Sequence, residues 1–547
     1  MYIVRHFEFA TQDTPSHIAT MKTSPLPPAL YRAAQVRELD RRAIQEFWIP
    51  SATLMARAGK AAFQALRHHW PKASRLTVVS GLGNNAGDGY VVARLALEAG
   101  LTVRVFQVGD ASRLQGDALD AYNALLATGL SPAPFTMGCL DDGGDDVVVD
   151  ALLGTGLRGE VRAPFRDAIV AVNHHDVPTL ALDMPSGLCA DTGNVLGVAI
   201  RAAVTVTFVG HKLGLFTGEG LEYTGQVEFA DLEIPPEVYL PITPVARCLG
   251  LENLPQWLPR RPRTAHKGHF GHVVVIGGAP GYAGAVRLAA EAAARVGAGL
   301  VSLATHPSHA AHLAATRPEI MVHAVTNRDD LAALLARATV VVLGPGLSRD
   351  AWALPLWEAA LAARLPTVVD ADALNLLAEQ NGERQDAANH CIFTPHPGEA
   401  ARLLRCSSAE IQADRHAALA ALIKQYGGTW VLKGAGTLVG SAGAITGLCP
   451  IANPGMASGG MGDVLAGLLG GLLAQGVPAL EAAGLGVCLH AEAALRAALA
   501  GERGMLASDL MPHLRALVNP APDAAPLLRK NKKDKKAKPR KEGWLTL

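Results

Sequence analysis

Residues 75–100 read RLTVVSGLGNNAGDGYVVARLALEAG: a short β-branched run, a glycine-rich turn, then a helix-like run. A near-continuous apolar strand that feeds a turn and a helix is the first half of a βαβ unit. Downstream the same alternation recurs in LTVRVFQV, DVVVD, PTLALD and AVTVTFV, with helix-like stretches between most of them. Strands of this kind are buried on both faces, which predicts a parallel sheet between two layers of helix. Upstream, YRAAQVRELDRRAIQEF reads as a helix with mixed faces.

Residues 251–268, LENLPQWLPRRPRTAHKG, shift the composition to Pro and Arg, as a linker does. A second alternating series follows in HVVVIGG, LVSLAT, TVVVLG, PTVVDAD, CIFTP and TWVLKG. The expected organisation is an irregular extension over 1–28, a first α/β domain over 29–248, a linker over 249–264 and a second α/β domain over 265–518. A basic, disordered tail over 519–547 completes it. The chain has 547 residues, more than one ordinary core accommodates. Apolar residues make up 49% and charged residues 18%, the balance of compact domains.

Formal net charge is zero, which argues against nucleic acid or an anionic membrane as a general partner. Seven scattered Cys form no CxxC pair, as expected of reduced thiols in a cytoplasmic protein. The first twenty residues lack a cationic start followed by an apolar core. The apolar stretch from Val464 is interrupted by Gln475, Pro478 and Glu481, so it predicts a buried helix pair rather than a membrane span. Homo-oligomeric assembly is expected, as for many α/β enzymes.

In an open parallel sheet, ligands sit beyond the carboxyl ends of the strands. In the first series GLGNNAGDG follows one strand, Asp150 closes a second, and Asp183 closes a third. The turn departs from the dinucleotide fingerprint: it reads GxGxxxG and lacks an acidic residue at the usual offset of about 20 residues. Asn85, Asp150 and Ser186 offer an amide oxygen, a carboxylate and a hydroxyl, an oxygen set suited to a hard cation. Asp183 is a candidate general base beside a glycine-containing turn.

In the second series NPGMASGGMGDVLAGLLGG, residues 453–471, runs a glycine-rich turn straight into an apolar helix. The backbone N–H groups and dipole of such a helix can hold phosphate charge, and Asp463 at its start can accept a hydroxyl proton. No GKS or GKT follows, so this is not a P-loop. Gly346 in VVLGPGLS, His396 and Glu399 in FTPHPGEA, and Lys433 in VLKGAGT also follow strand-like runs.

GNNAGDG, DALLGTGLRG and DMPSG resemble the signature stretches of the NAD(P)H-hydrate epimerase family over residues 30–240. That resemblance implies a Rossmann-like three-layer α/β/α domain. It also implies that Asn84, Asn85, Ala86, Gly87 and Asp88, with Gly154, Thr155, Gly156, Leu157, Arg158, Gly159 and Glu160, line the hydrated-cofactor site. It further implies K⁺ at Asn85, Asp150 and Ser186 and a catalytic role for Asp183. The family carries Gly where this chain has Ala86, a change tolerable unless the backbone needs positive φ.

GGMGDVLAG, TPHPGE, GPGL, KGAGT and the helix region YAGAVRLAAEAAARVGAGLV resemble the ADP-dependent NAD(P)H-hydrate dehydratase family over residues 262–515. This implies a ribokinase-like three-layer domain, with Asp463, His396, Gly346 and Ala285 on the hydrated cofactor. Lys433, Gly434, Ala435, Gly436, Thr437 and Gly462 would meet the adenine nucleotide, with Mg²⁺ beside it. Together the halves imply repair of hydrated NADH and NADPH, NADHX and NADPHX: epimerisation first, then ADP-dependent dehydration of the S epimer, catalysed by Asp463, with release of AMP and phosphate. A ribokinase-like small-molecule kinase would explain GGMGD equally well but leaves the first domain unexplained.

Overall fold

The computed structural model describes residues 29–141, 144–380 and 390–519. The expected extension over 1–28 and all of the basic tail beyond Asn519 lie outside the described residues.

Strand Arg75–Ser80 is flanked by Thr102–Gln107 on one side and Val147–Ala151 on the other. Ala133–Pro134 closes one edge, while Thr179–Leu182, Val204–Phe208 and Gln226–Ala230 continue the other. All seven strands are parallel. The apolar residues of the central strands are buried on both faces, with Val147, Val148 and Val149 fully so. The strand order turns round at Arg75–Ser80, and that opens a crevice at its carboxyl end.

Helix Asn84–Glu98 begins within GNNAGDG, so the turn is shorter than the sequence suggests. Gly87 and Gly89 belong to the helix and serve close packing. A Cβ on Gly89 would stand 2.5 Å from Ala151 Cβ, and one on Gly87 2.5 Å from Met55 Cε. Ala86 is the third residue of the helix and fully buried. Helical backbone has negative φ, so the position does not require glycine.

The second domain carries the parallel order Met321–Ala324, Leu300–Thr305, His272–Ile276, Val340–Leu343, Thr367–Val369, Cys391–Phe393 and Thr429–Leu432. Two antiparallel strands, Thr437–Ser441 and Thr446–Cys449, extend it. The sheet then continues into the first domain. Ala246–Cys248 pairs with Thr446–Cys449, Ala29–Tyr31 pairs with Ala246–Cys248, and His211–Lys212 closes the edge. One apolar core spans the junction, joining Leu30, Leu213, Leu215 and Phe216 to Leu419, Leu432, Leu438 and Leu448.

The stretch from Val464 forms the expected buried helix pair, Met461–Ala474 and Ala479–Ala497. Gly467 lets the first of these lie against helix Ala283–Val296; a Cβ there would be 1.9 Å from Ala289 O. The run Ala479–Ala500 is long and apolar enough to cross a membrane by length and composition, but 67% of its most apolar 18 residues are buried inside the fold. All seven cysteines are free thiols.

Candidate active sites

Three chain segments meet beyond the carboxyl ends of Arg75–Ser80 and Val147–Ala151. Asp150 is fully buried; it accepts from Ser186 Oγ at 2.6 Å, Ser186 N at 2.8 Å and Leu152 N at 3.1 Å. Burial pushes its carboxyl up to about 6, against these hydrogen bonds. Asn85 donates through Nδ2 to Leu153 O at 3.2 Å, while its buried Oδ1 has no partner in the structure. The structure therefore brings Asn85, Asp150 and Ser186 together, with the Leu153 carbonyl beside them. A buried amide oxygen without a donor costs free energy unless something electropositive meets it. Among the described residues no cluster of three or more His, Cys, Asp or Glu could hold a metal, so any cation here takes a mixed oxygen set.

Asp183 follows strand Thr179–Leu182 with φ of +64°, a conformation unusual for a residue with a side chain. Its Oδ1 accepts from Phe208 N at 3.1 Å and pairs with the ammonium of Lys212. Lys212 is fully buried and also donates to Phe208 O at 2.8 Å and Thr207 Oγ1 at 3.1 Å. Among the described residues, Asp183 Oδ2 has no hydrogen-bond partner. Two more carboxyls feel this pair. Burial raises Asp40 to about 6, with Lys212 opposing and Asp183 adding to the rise. Burial, then Asp183 and Asp40, hold the Asp88 carboxyl well above the usual range. Residues 154–160 form a largely open loop at the rim, where Gly154 lies next to Asn85.

In the second domain, helix Met461–Ala474 starts at Gly460, whose φ is +90° and which offers no side-chain cap. Its first N–H groups are therefore free for an anion. Asp463 sits in that first turn; burial and the neighbouring Asp370 raise its carboxyl to about 7, against the pull of Lys433. Lys433 Nζ bonds Asp370 Oδ1 at 2.8 Å and lies 3.8 Å from Glu399 Oε2. Thr394 Oγ1 donates to the same Asp370 oxygen at 2.7 Å. Gly462 closes over this group, since a Cβ there would be 3.3 Å from Lys433 Nζ.

His396 caps helix Pro397–Leu404: its Nδ1 accepts from Gly398 N at 2.9 Å and Glu399 N at 3.3 Å. Half-burial and the nearby Lys433 hold the ring below its ordinary value, so it is neutral near pH 7. Gly346, with φ of +57°, presses on Tyr282 and Ala285; a Cβ there would be 3.2 Å from Ala285 Cβ. Residues 433–437 turn between strands Thr429–Leu432 and Thr437–Ser441. The buried Arg415 holds the start of this loop, donating to Leu432 O and Lys433 O at 3.2 Å each.

Two family profiles divide the chain at the same place as the two pockets. One described as YjeF-related protein N-terminus matches residues 51–214, and one described as NAD(P)H-hydrate dehydratase matches 273–515. The bifunctional NAD(P)H-hydrate repair enzyme of Coxiella burnetii is 50% identical, over 90% of this chain and 99% of its own length. The chain belongs to the family of bifunctional NAD(P)H-hydrate repair enzymes. The Escherichia coli relative of the same description is 44% identical over 92% of this chain and 96% of its own. A crystal structure of the ADP/ATP-dependent NAD(P)H-hydrate dehydratase from Bacillus subtilis, co-crystallised with ATP and Mg²⁺, is 25% identical. It covers 49% of this chain and 97% of its own, with a TM-score of 0.43.

As a member of this repair family, the chain joins a YjeF-related half to an NAD(P)H-hydrate dehydratase half. Sequence reasoning did not reach Lys212, Asp40, Asp370 or Arg415. Lys212 had a usable signal, a lone lysine inside the apolar run FVGHKLGLF, because lysine is rarely buried without a partner. Asp370 had one as well, because it closes the strand-like run PTVVDAD; Asp40 and Arg415 had none, since their neighbours are distant in sequence.

Proposed function

We propose that the Asp183 pocket carries the epimerisation and the Asp463 pocket the dehydration in this bifunctional repair enzyme. The substrates are hydrated NADH and hydrated NADPH, and the free thiols fit a reducing, cytoplasmic setting. In the first pocket Lys212 and the Phe208 N–H fix one oxygen of Asp183, leaving Oδ2 to move a proton. In one route Asp183 first takes up a proton from solvent on Oδ2 and gives it to the hydroxyl, which leaves as water as the ring-nitrogen lone pair expels it. Water then returns to the opposite face and Asp183 takes the proton back. Ring opening and closing would run the transfer in the opposite sense: Asp183 takes the hydroxyl proton as the C–N bond breaks and the ring nitrogen gains a proton, and closure on the other face reverses both steps. Asn85, Asp150 and Ser186 fit K⁺, because Asn85 Oδ1 is buried without a donor and the Asp150 carboxylate, oriented by Ser186 and the Leu152 N–H, supplies buried negative charge. Bound there, K⁺ would anchor cofactor phosphates and the 154–160 loop.

In the second pocket Asp463 takes the proton of the substrate hydroxyl, and that oxygen accepts the terminal phosphoryl group of ADP, leaving AMP. The free N–H groups after Gly460 hold the charge of the moving group. Phosphate then leaves with loss of the neighbouring ring proton, restoring the dihydropyridine. Mg²⁺ arriving with the nucleotide would spread phosphate charge. Lys433, Gly434, Ala435, Gly436, Thr437 and Gly462 hold the nucleotide; His396, Gly346 and Ala285 face the hydrated cofactor.

The observation that carries this reading is Asp463 at an uncapped helix N-terminus, its carboxyl raised to about 7 so that it is poised as a base. The test supplies the S hydrate with ADP and Mg²⁺ and follows AMP, phosphate and dihydropyridine absorbance together. Equal yields of all three support the elimination. A stable phosphorylated product without free phosphate would favour the kinase reading instead.

A further inference from the structure

The loop 433–437 is held on two sides by different domains. On one side a Cβ at Gly434 would be 2.9 Å from Arg415 Nη1, within the second domain. On the other, Gly436 at φ of +68° leaves room for Phe216 O and Thr217 Cα, which a Cβ would meet at 2.3 Å and 2.7 Å. The first domain also donates a hydrogen bond to the loop itself, from Gly218 N to Ala435 O at 3.2 Å. The donor segment is firmly built. Phe216 is 5% exposed in the core shared by both domains, Gly214 N donates to Ala190 O at 2.8 Å, and a Cβ on Gly193 would stand 2.1 Å from Thr217 O. A short loop between two strands, braced at its centre by a rigid neighbour, loses little freedom when a ligand docks on it.

We propose that residues 216–218 of the epimerase domain are positioning residues of the dehydratase site, holding the 433–437 loop in the conformation that receives the adenine nucleotide. This rests on the reading of 433–437 as the nucleotide loop. Nucleotide affinity in this chain is then a property of both domains, and the second domain does not by itself fix the shape of its own phosphate loop.

The first test is hydrogen–deuterium exchange of the full chain with and without ADP and Mg²⁺. Protection of peptides covering both 429–441 and 213–220 is expected. The second is Gly218→Ala, which strains a backbone at φ of +60° and loosens the Gly218–Ala435 bond. The ADP KM should rise roughly 3- to 10-fold, the worth of one net hydrogen bond, while kcat at saturating ADP is kept. If ADP protects 429–441 while 213–220 exchanges as before, and the variant binds ADP like the parent, the proposal is overturned. If ADP binds and protects neither segment, the nucleotide reading fails and takes the proposal with it. Should the variant not fold, the exchange experiment on the parent chain decides alone.

Discussion

The two pockets use an aspartate and a lysine in opposite ways. In the first domain the lysine touches the catalytic candidate directly: Lys212 pins Asp183 from a fully buried position. In the second the lysine is spent on other carboxylates, Asp370 and Glu399, and reaches Asp463 only through its field. The first arrangement fixes a carboxylate in place, leaving one oxygen free. The second leaves a carboxylate under-compensated, with its proton affinity raised to about 7. A group that shuttles a proton in both directions benefits from fixed orientation; a base that starts a phosphoryl transfer benefits from basicity.

The sharpest way to break this contrast is to remove each aspartate's charge. Asp463→Asn should lower dehydratase kcat by ~10²- to 10⁴-fold and Asp183→Asn should do the same to the epimerase, each sparing the other reaction. Separate assays of the two steps check this, and loss of both activities in either variant would contradict it. Lys212→Met should act differently from any second-domain change. It strands Asp183 and costs about 3 kcal/mol, read as a lower denaturation midpoint, together with loss of epimerisation.

A smaller effect separates the pockets by pH. Asp463 must lose its proton to act, so dehydratase kcat/KM should fall about tenfold per unit as pH drops below about 7. The profile of Asp463→Asn should lack that limb. In the first pocket the buried Asp150 protonates near 6, which competes with a cation. K⁺ stimulation of epimerisation should therefore fade below about pH 6. Asn85→Ala should raise the K⁺ concentration for half-maximal rate about tenfold, measured by titration with KCl. The smallest effect lies in packing: Gly89→Ala pushes a methyl onto Ala151 and should cost about 1–3 kcal/mol of stability.

Much of this was legible in the sequence. Strands such as VVVD and VVVL are apolar on both faces, and local patterning is enough to place them in a parallel sheet with Asp150, Asp183 and Lys433 at carboxyl ends. The joining of the two sheets was not legible. It depends on Ala29–Tyr31, His211–Lys212 and Ala246–Cys248, strands of two or three residues whose partners lie about 180 to 220 residues away. Elements that short carry no periodicity. The GNNAGDG motif misled in one respect: its glycines suggest a long phosphate turn, yet Gly87 and Gly89 are helical and answer to Met55 and Ala151 across the packing interface. Ala86 was a departure from the resembled pattern in sequence and is an ordinary helical residue in structure.

The central claim is that two separate proton-moving aspartates work in series on one damaged cofactor. The most direct measurement gives the protein a mixture of both NADH-hydrate epimers with ADP, Mg²⁺ and K⁺ and follows recovery of dihydropyridine absorbance, for the parent chain and for Asp183→Asn. The account predicts full recovery by the parent. The variant should show a fast phase equal to the S fraction, then a slow phase at the spontaneous epimerisation rate. Single-phase recovery by Asp183→Asn at the parent's rate would contradict it.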